Sequence, residues 1–150
     1  MALSMQLNKL NTVELMELDQ LKTYLINKPE TLETFPFGDD VSVYKVKNKM
    51  FALLAWRDDQ LMLNLKCDPD ESIMLREIFP TIKPGYHMNK KHWISIYFED
   101  PIPKGEIERL IDNSFMLVVN KMAKKINRLF YYIYNVLNLH FQYIVPYRSL

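Results

Sequence analysis

The sequence predicts an α+β domain, a compact α-βββ-α-β-α chain whose antiparallel sheet is covered on one face by helices. Three observations carry this. Leucines recur at three- and four-residue steps near the start, at Leu15, Leu18, Leu21 and Leu25. Three short strand-like runs follow, parted by two-residue polar breaks. A well-marked helix start, "CDPDES", and an alternating run, "WISIYFE", then stand on either side of a Pro-Gly segment.

In chain order, the first helix takes Asn11 as cap, with Glu14 three residues on, and Pro29 closes it. "FPFGDD" (35–40) is a turn. "VSVYKV" (41–46) is β-branched, "MFALLAW" (50–56) is continuously apolar, and "QLMLNLKC" (60–67) alternates. In the last, Leu61, Leu63, Leu65 and Cys67 share one face, and Met62, Asn64 and Lys66 the other. Lys47-Asn48 and Asp58-Asp59 are short enough to join these runs as hairpins. Asp68 is placed to cap a second helix, Pro69 suits its first position, and Glu71 completes a capping box. Pro80 ends it. "WISIYFE" (93–99) is a fourth strand, and residues 103–125 give one or two helices with Ile107, Leu110, Ile111 and Leu117 on one stripe.

The last 25 residues hold seven of the 19 aromatics and no acid. Their least polar part, 129–145, is interrupted by Asn135, Asn138, His140 and Gln142, so a spanning anchor of ~20 apolar residues is not expected. On a helix, Arg128, Asn135, Asn138 and Gln142 form a polar stripe opposite a broad apolar face. The expected division is a domain over 1–125 and a helical extension over 126–150. The chain is then a monomer or a tail-mediated homodimer.

With 49% apolar and 25% charged residues, the composition is that of a soluble globular protein. No apolar run marks a secretory signal at the N-terminus, and the single cysteine forms no internal disulfide. A reducing, cytoplasmic location is expected, with no membrane partner. Charge is uneven along the chain: residues 1–40 carry three Lys and seven acids, residues 41–97 nine Lys/Arg and six acids. A basic middle suits phosphate contacts.

The segment richest in functional side chains is "PGYHMNKKHW" (84–93). His87 and His92, five apart, match no standard zinc spacing, so no metal is expected. Cys67 lies on an apolar strand face without an activating partner, and three glycines make no phosphate-cradling loop. Neither an enzyme nor a cofactor is therefore expected. Lys45, Lys47 and Lys49 gather near one turn, and Asn89, Lys90, Lys91 and His92 form a basic edge. These groups serve either as nucleic-acid phosphate contacts or as solvated charges that keep strand edges from pairing. Tyr86 could stack on a base. Pro84, Gly85, Tyr86, His87 and Trp93 are expected to hold the edge in place, His87 by bonding a backbone carbonyl.

Four pieces in this order resemble the MmcQ/YjbR family of small bacterial proteins: "FPFGDDVSVYKV" with "KMFALL", "LNLKCDPDE", "FPTIKPGYHMNKKHWISI" and "LIDNSFMLVVNKMAKK". They span about residues 16 to 125, and the Pro-Gly-Tyr-His block is the most specific. The resemblance implies a CyaY-like fold, with a helix flanked by two β-hairpin wings, and DNA as partner through that double wing. It brings no catalytic residues. Family members often place Gly-Gly where Lys47-Asn48 stands, begin near Met16 and end near Lys125. The alternative expectation is an interaction domain without DNA affinity that self-associates through the tail.

Overall fold

The computed structural model of the chain describes residues 18–122 and 124–136. Its elements are helix α1 over 18–26, strands β1 (Thr31–Thr34), β2 (Val41–Val46), β3 (Lys49–Arg57) and β4 (Gln60–Lys66), and helix α2 (Pro69–Ile78). Strands β5 (Ile82–Pro84) and β6 (Trp93–Tyr97) and helices α3 (Lys104–Val119) and α4 (Lys124–Val136) complete it. The strands make one antiparallel sheet in the order β1-β2-β3-β4-β6-β5. The sheet therefore has six strands where four were expected. β1 and β5 are four and three residues long and show no alternation to betray them.

The two tight turns are of one kind. Lys47 and Asn48 have φ of 46° and 64°, Asp58 and Asp59 of 50° and 61°. Two successive left-handed residues are the backbone of a type I′ turn, whose twist matches that of the strands it joins. Glycine takes this conformation freely, and Asn and Asp tolerate it. Lys47 takes it at a cost.

A bulge then sets which side chains of β3 face the helices. Tyr44 stands opposite Ala52 and Lys45 opposite Met50, which leaves Phe51 as the extra residue. Phe51 and Ala52 consequently both enter the helix-side core with Leu54, Leu63, Leu65, Ile94 and Ile96. From α3, Leu110, Ile111, Phe115 and Val118 meet them, and the Phe51 and Phe115 rings lie edge to face at 5.2 Å. Ser114 fastens the same helix: its hydroxyl donates to the Phe51 carbonyl and accepts from the Lys66 amide at 2.8 Å. Leu117, expected on the buried stripe, is only half-buried. From α1, Leu21 and Leu25 are buried; Asn11, Glu14 and Leu15 lie outside the described residues.

Asp68 caps α2 as expected, accepting from the amides of Asp70 and Glu71. Glu71 does not close the capping box. Its carboxylate instead meets the Arg109 guanidinium at 2.7 Å, a charge-assisted pair across to α3 that outcompetes a neutral backbone N–H. The expected boundary at 125 falls in the first turn of α4, whose Ile126 packs on the core; residues 137–150 lie outside the described residues.

The other face of the sheet carries a smaller core of Val43, Leu53, Ala55 and Met62. Among the described residues its cover is the β5–β6 connection, through Tyr86 and Met88, rather than a helix.

Candidate nucleic-acid interface

Antiparallel register sorts the charges of this fold to opposite ends of the sheet. Val46 pairs with Lys49 and Lys66 with Trp93, so the β2–β3 turn, the end of β4 and the start of β6 lie together. Lys47, Lys49, Lys66, Lys91 and His92 belong to that end. Ser114 pins α3 there too, and Lys121 follows two residues past its C-terminus. The opposite end holds Asp39, Asp40, Asp58, Asp59, Glu99 and Asp100, with Arg57 and Lys104 as cations.

Lys66 is the centre of the basic end. It is half-buried, with its ammonium 5.7 Å from the centroid of the Trp93 ring. Burial holds it below the usual lysine range, and the like charges of Lys121 and Lys49 push the same way. Lys49, Lys66 and Lys121 thus come from β3, from β4 and from just past α3 to the same end of the fold. The expected cluster at 45–49 divides. Lys49 is exposed, Lys47 is ion-paired with Glu30, and Lys45 lies inside β2, half-buried opposite Leu32 and Met50. Acids also border this end, where Asp68, Asp70 and Glu71 open α2.

The 84–93 block folds as a cover with a turn at its tip. Pro84 is the last residue of β5, opposite Ile94, and the Gly85 amide donates to the Trp93 carbonyl at 2.9 Å. The reversal therefore comes after Gly85, not at Pro84-Gly85. Gly85 is there for room: a Cβ on it would lie 2.6 Å from the Trp93 Cβ and 3.0 Å from the Met88 Cβ. Gly85→Ala should lower stability by about 1–3 kcal/mol, the usual cost of overpacking. A denaturation midpoint equal to that of the wild type would show the contact to be slack.

Below the loop lies a closed polar ring. The Ser95 hydroxyl donates to Asn64 Oδ1 at 2.5 Å and accepts from the Tyr86 amide at 2.8 Å, and Asn64 Nδ2 donates to the Tyr86 carbonyl at 3.2 Å. Asn64 is 1% exposed. Above it, Arg57 donates to the Tyr86 hydroxyl at 2.8 Å and stacks on that ring. Tyr86 is thereby occupied by Arg57 on the outside and by its backbone within.

The loop also uses groups expected at the interface. Lys90 Nζ donates to the Gly85 carbonyl at 3.1 Å, and Asn89 Oδ1 accepts from the Lys91 amide at 3.0 Å. Lys91 and His92 are exposed. His87 is exposed as well, with φ of 52°, and its ring stands edge-on to Tyr86 at 4.2 Å instead of bonding a carbonyl. Its contribution to the loop is a left-handed backbone step. Trp93 is buried against Gly85 and beneath Lys66.

Sequence reasoning passed over Arg57, Asn64, Ser95, Lys66 and Lys121 as site residues. Strand alternation already put Asn64 and Lys66 on one face. No local signal joins Lys121 to Lys66, because the bulge and the Ser114 anchor bring them together. Cys67 is buried, and desolvation with nearby Glu71 and Asp68 pushes its thiol up to about 12, so it stays protonated at neutral pH. Among the described residues no three His, Cys, Asp or Glu side chains gather as metal ligands. Nor is any helix among them long and apolar enough to cross a membrane.

A six-stranded antiparallel sheet with helices on one face and the β5–β6 loop on the other defines an α+β domain of a kind seen in solved bacterial proteins. The crystal structure of Deinococcus radiodurans protein DR2400, a DUF419 domain, matches with a TM-score of 0.69 and 37% identity over 75% of this chain and 86% of that one. A protein from Pseudomonas syringae matches at 0.58 and 32% identity, over 66% of this chain and 96% of its own. The family model described as YjbR matches residues 26–117, and the chain belongs to the YjbR family. Escherichia coli O157:H7 YbdF is 44% identical over 61% of this chain and 75% of its own length. Escherichia coli K12 YjbR is 25% identical over 76% and 97%. Both are named only as uncharacterized proteins.

Proposed function

We propose that this protein binds DNA without catalysing a reaction, through the lysine-bearing end of its sheet. The observation that carries the proposal is the placement of Lys49, Lys66 and Lys121 at one end of the fold by strand register and by the Ser114 anchor of α3. A phosphate backbone supplies the missing counter-charge. The hairpins β2–β3 and β5–β6 both turn at this end, on either side of β4, as two wings would. Lys91 and His92 extend the surface, and Lys90 supports it by bracing the loop. Such contacts position a duplex and read no sequence. A reducing cytoplasm suits the buried, protonated Cys67.

Anisotropy titration of duplex and single-stranded DNA at two salt concentrations tests this. Three neutralised phosphates give a log–log slope of about −2.7. Lys49→Glu/Lys66→Glu should weaken binding at least tenfold and flatten that slope, while Lys90→Gln acts only through the loop. Affinity should also fall as pH rises, and sooner than for an ordinary lysine, because Lys66 gives up its proton early. Wild-type affinity no greater than that of a neutral control protein rules the proposal out.

A second role has one observation in its favour. Leu129, Tyr132 and Val136 lie exposed along one stripe of α4, as a self-associating helix would present them. A chain ended after Lys125 separates the two: if the tail joins two copies, sedimentation shifts to monomer while any DNA affinity stays.

A further inference from the structure

At the acidic end the fold leaves a cavity of about 350 Å³, between α1, the connection after β6 and α3. An opening of this size falls within the range of small-ligand pockets, ~300–1,000 Å³. Its inner wall is apolar: Ile111 is fully buried, Ile107 nearly so, and Tyr24 adds a ring. Pro101 and Ile102, in the connection leading into α3, complete the lining.

The mouth is anionic. Glu99, Asp100 and Glu108 line it against the single cation Lys104, which lies 3.7 Å from Glu108. Glu99 accepts from Gln60, and among the described residues Asp100 has no ionic partner. Behind the wall, Tyr24 donates to Asp112 at 3.0 Å, and Asp112 is also the partner of Lys28. Burial, Asp112 and Glu108 all drive the Tyr24 phenol upward, so it keeps its proton and stays a neutral wall. An anionic ligand would meet three carboxylates against one ammonium at the entrance, a net repulsion. A neutral one would leave them unused.

We infer that this cavity binds a small amphipathic cation: a primary ammonium on a compact alkyl or arylalkyl body, with its charge at the Asp100–Glu108 mouth and its hydrocarbon against Ile107 and Ile111. The site is at the far end of the sheet from the lysines, so it stands or falls apart from DNA binding.

Calorimetric titration of the full chain with phenethylammonium and n-hexylammonium, beside 1-hexanol and hexanoate, tests it. Saturable binding of both ammoniums is expected, with hexanol about fivefold weaker and hexanoate weaker still. Ile107→Trp, filling the cavity, should abolish binding, and Asp100→Asn/Glu108→Gln, which alters only partly or fully exposed side chains, should erase the preference for ammonium over alcohol. No saturation by either ammonium overturns the inference. Equal binding of hexanoate, a preference that survives the Asn/Gln pair, or full binding by a folded Ile107→Trp chain does so as well.

Discussion

Lys28→Met should cost about 3 kcal/mol of unfolding free energy, near the low end for breaking a buried ion pair. Lys28 is 5% exposed, and its ammonium contacts Asp112 on α3 while lying 4.1 Å from the Tyr24 ring centroid. Among the described residues, removing it leaves the Asp112 carboxylate with Tyr24 alone, in a setting that excludes much of the water. The pair is not a large net source of stability even so. Burial lowers the Lys28 pKa and outweighs the opposing pull of Asp112 and Glu108. In the window between its lowered folded pKa and its unfolded value, the unfolded chain holds more protons, so stability rises as pH climbs through that window. Lys28→Met/Asp112→Leu should therefore recover most of the loss, and the single variant should lack the alkaline rise. Urea titration decides it: a single variant within 0.5 kcal/mol of wild type (roughly the scatter of neutral surface changes), or a double variant no better than the single, would contradict the account.

Asn64→Leu is the second large effect, with an expected loss of about 2–3 kcal/mol. Leucine fills nearly the same space but breaks the ring under the loop. It removes the acceptor for the Ser95 hydroxyl and the donor to the Tyr86 carbonyl, both shielded from water. Each buried polar group left unpaired costs about 1–3 kcal/mol. The loss should be local in its kinetics. Amides at 86–92 should exchange faster by hydrogen–deuterium exchange, while those of β3 and β4 keep their order of protection. Uniform acceleration across the sheet would mean that the ring supports the whole domain and not the cover.

What the sequence disclosed follows the range of the forces involved. Turns at Lys47-Asn48 and Asp58-Asp59, the Asp68 cap and the alternation of β4 are all local, and each stands where the residues place it. Strands β1 and β5 are held by partners rather than by their own pattern, so "TLET" and "IKP" gave no sign. The Lys28–Asp112 pair joins residues 84 apart and was invisible for the same reason. In "PGYHMNKKHW" the residue types suggested a surface site, and the block proved to have two layers. Gly85, Tyr86 and Trp93 face inward, Lys91 and His92 face outward, and Lys90 turns back on the loop. The direction in which a lysine points depends on whether a backbone carbonyl is left over nearby, and no motif records that.

The separation of charge along the strands has a consequence for how the molecules behave toward one another. With a formal net charge of only +1, there is little overall repulsion between copies at neutral pH. Each molecule nevertheless carries a negative pole and a positive pole. In dilute buffer, where the Debye length reaches ~30 Å, the negative pole of one copy attracts the positive pole of the next. Colloidal attraction should thus be strongest at low ionic strength and fade as salt is added, so that salt keeps this protein dispersed.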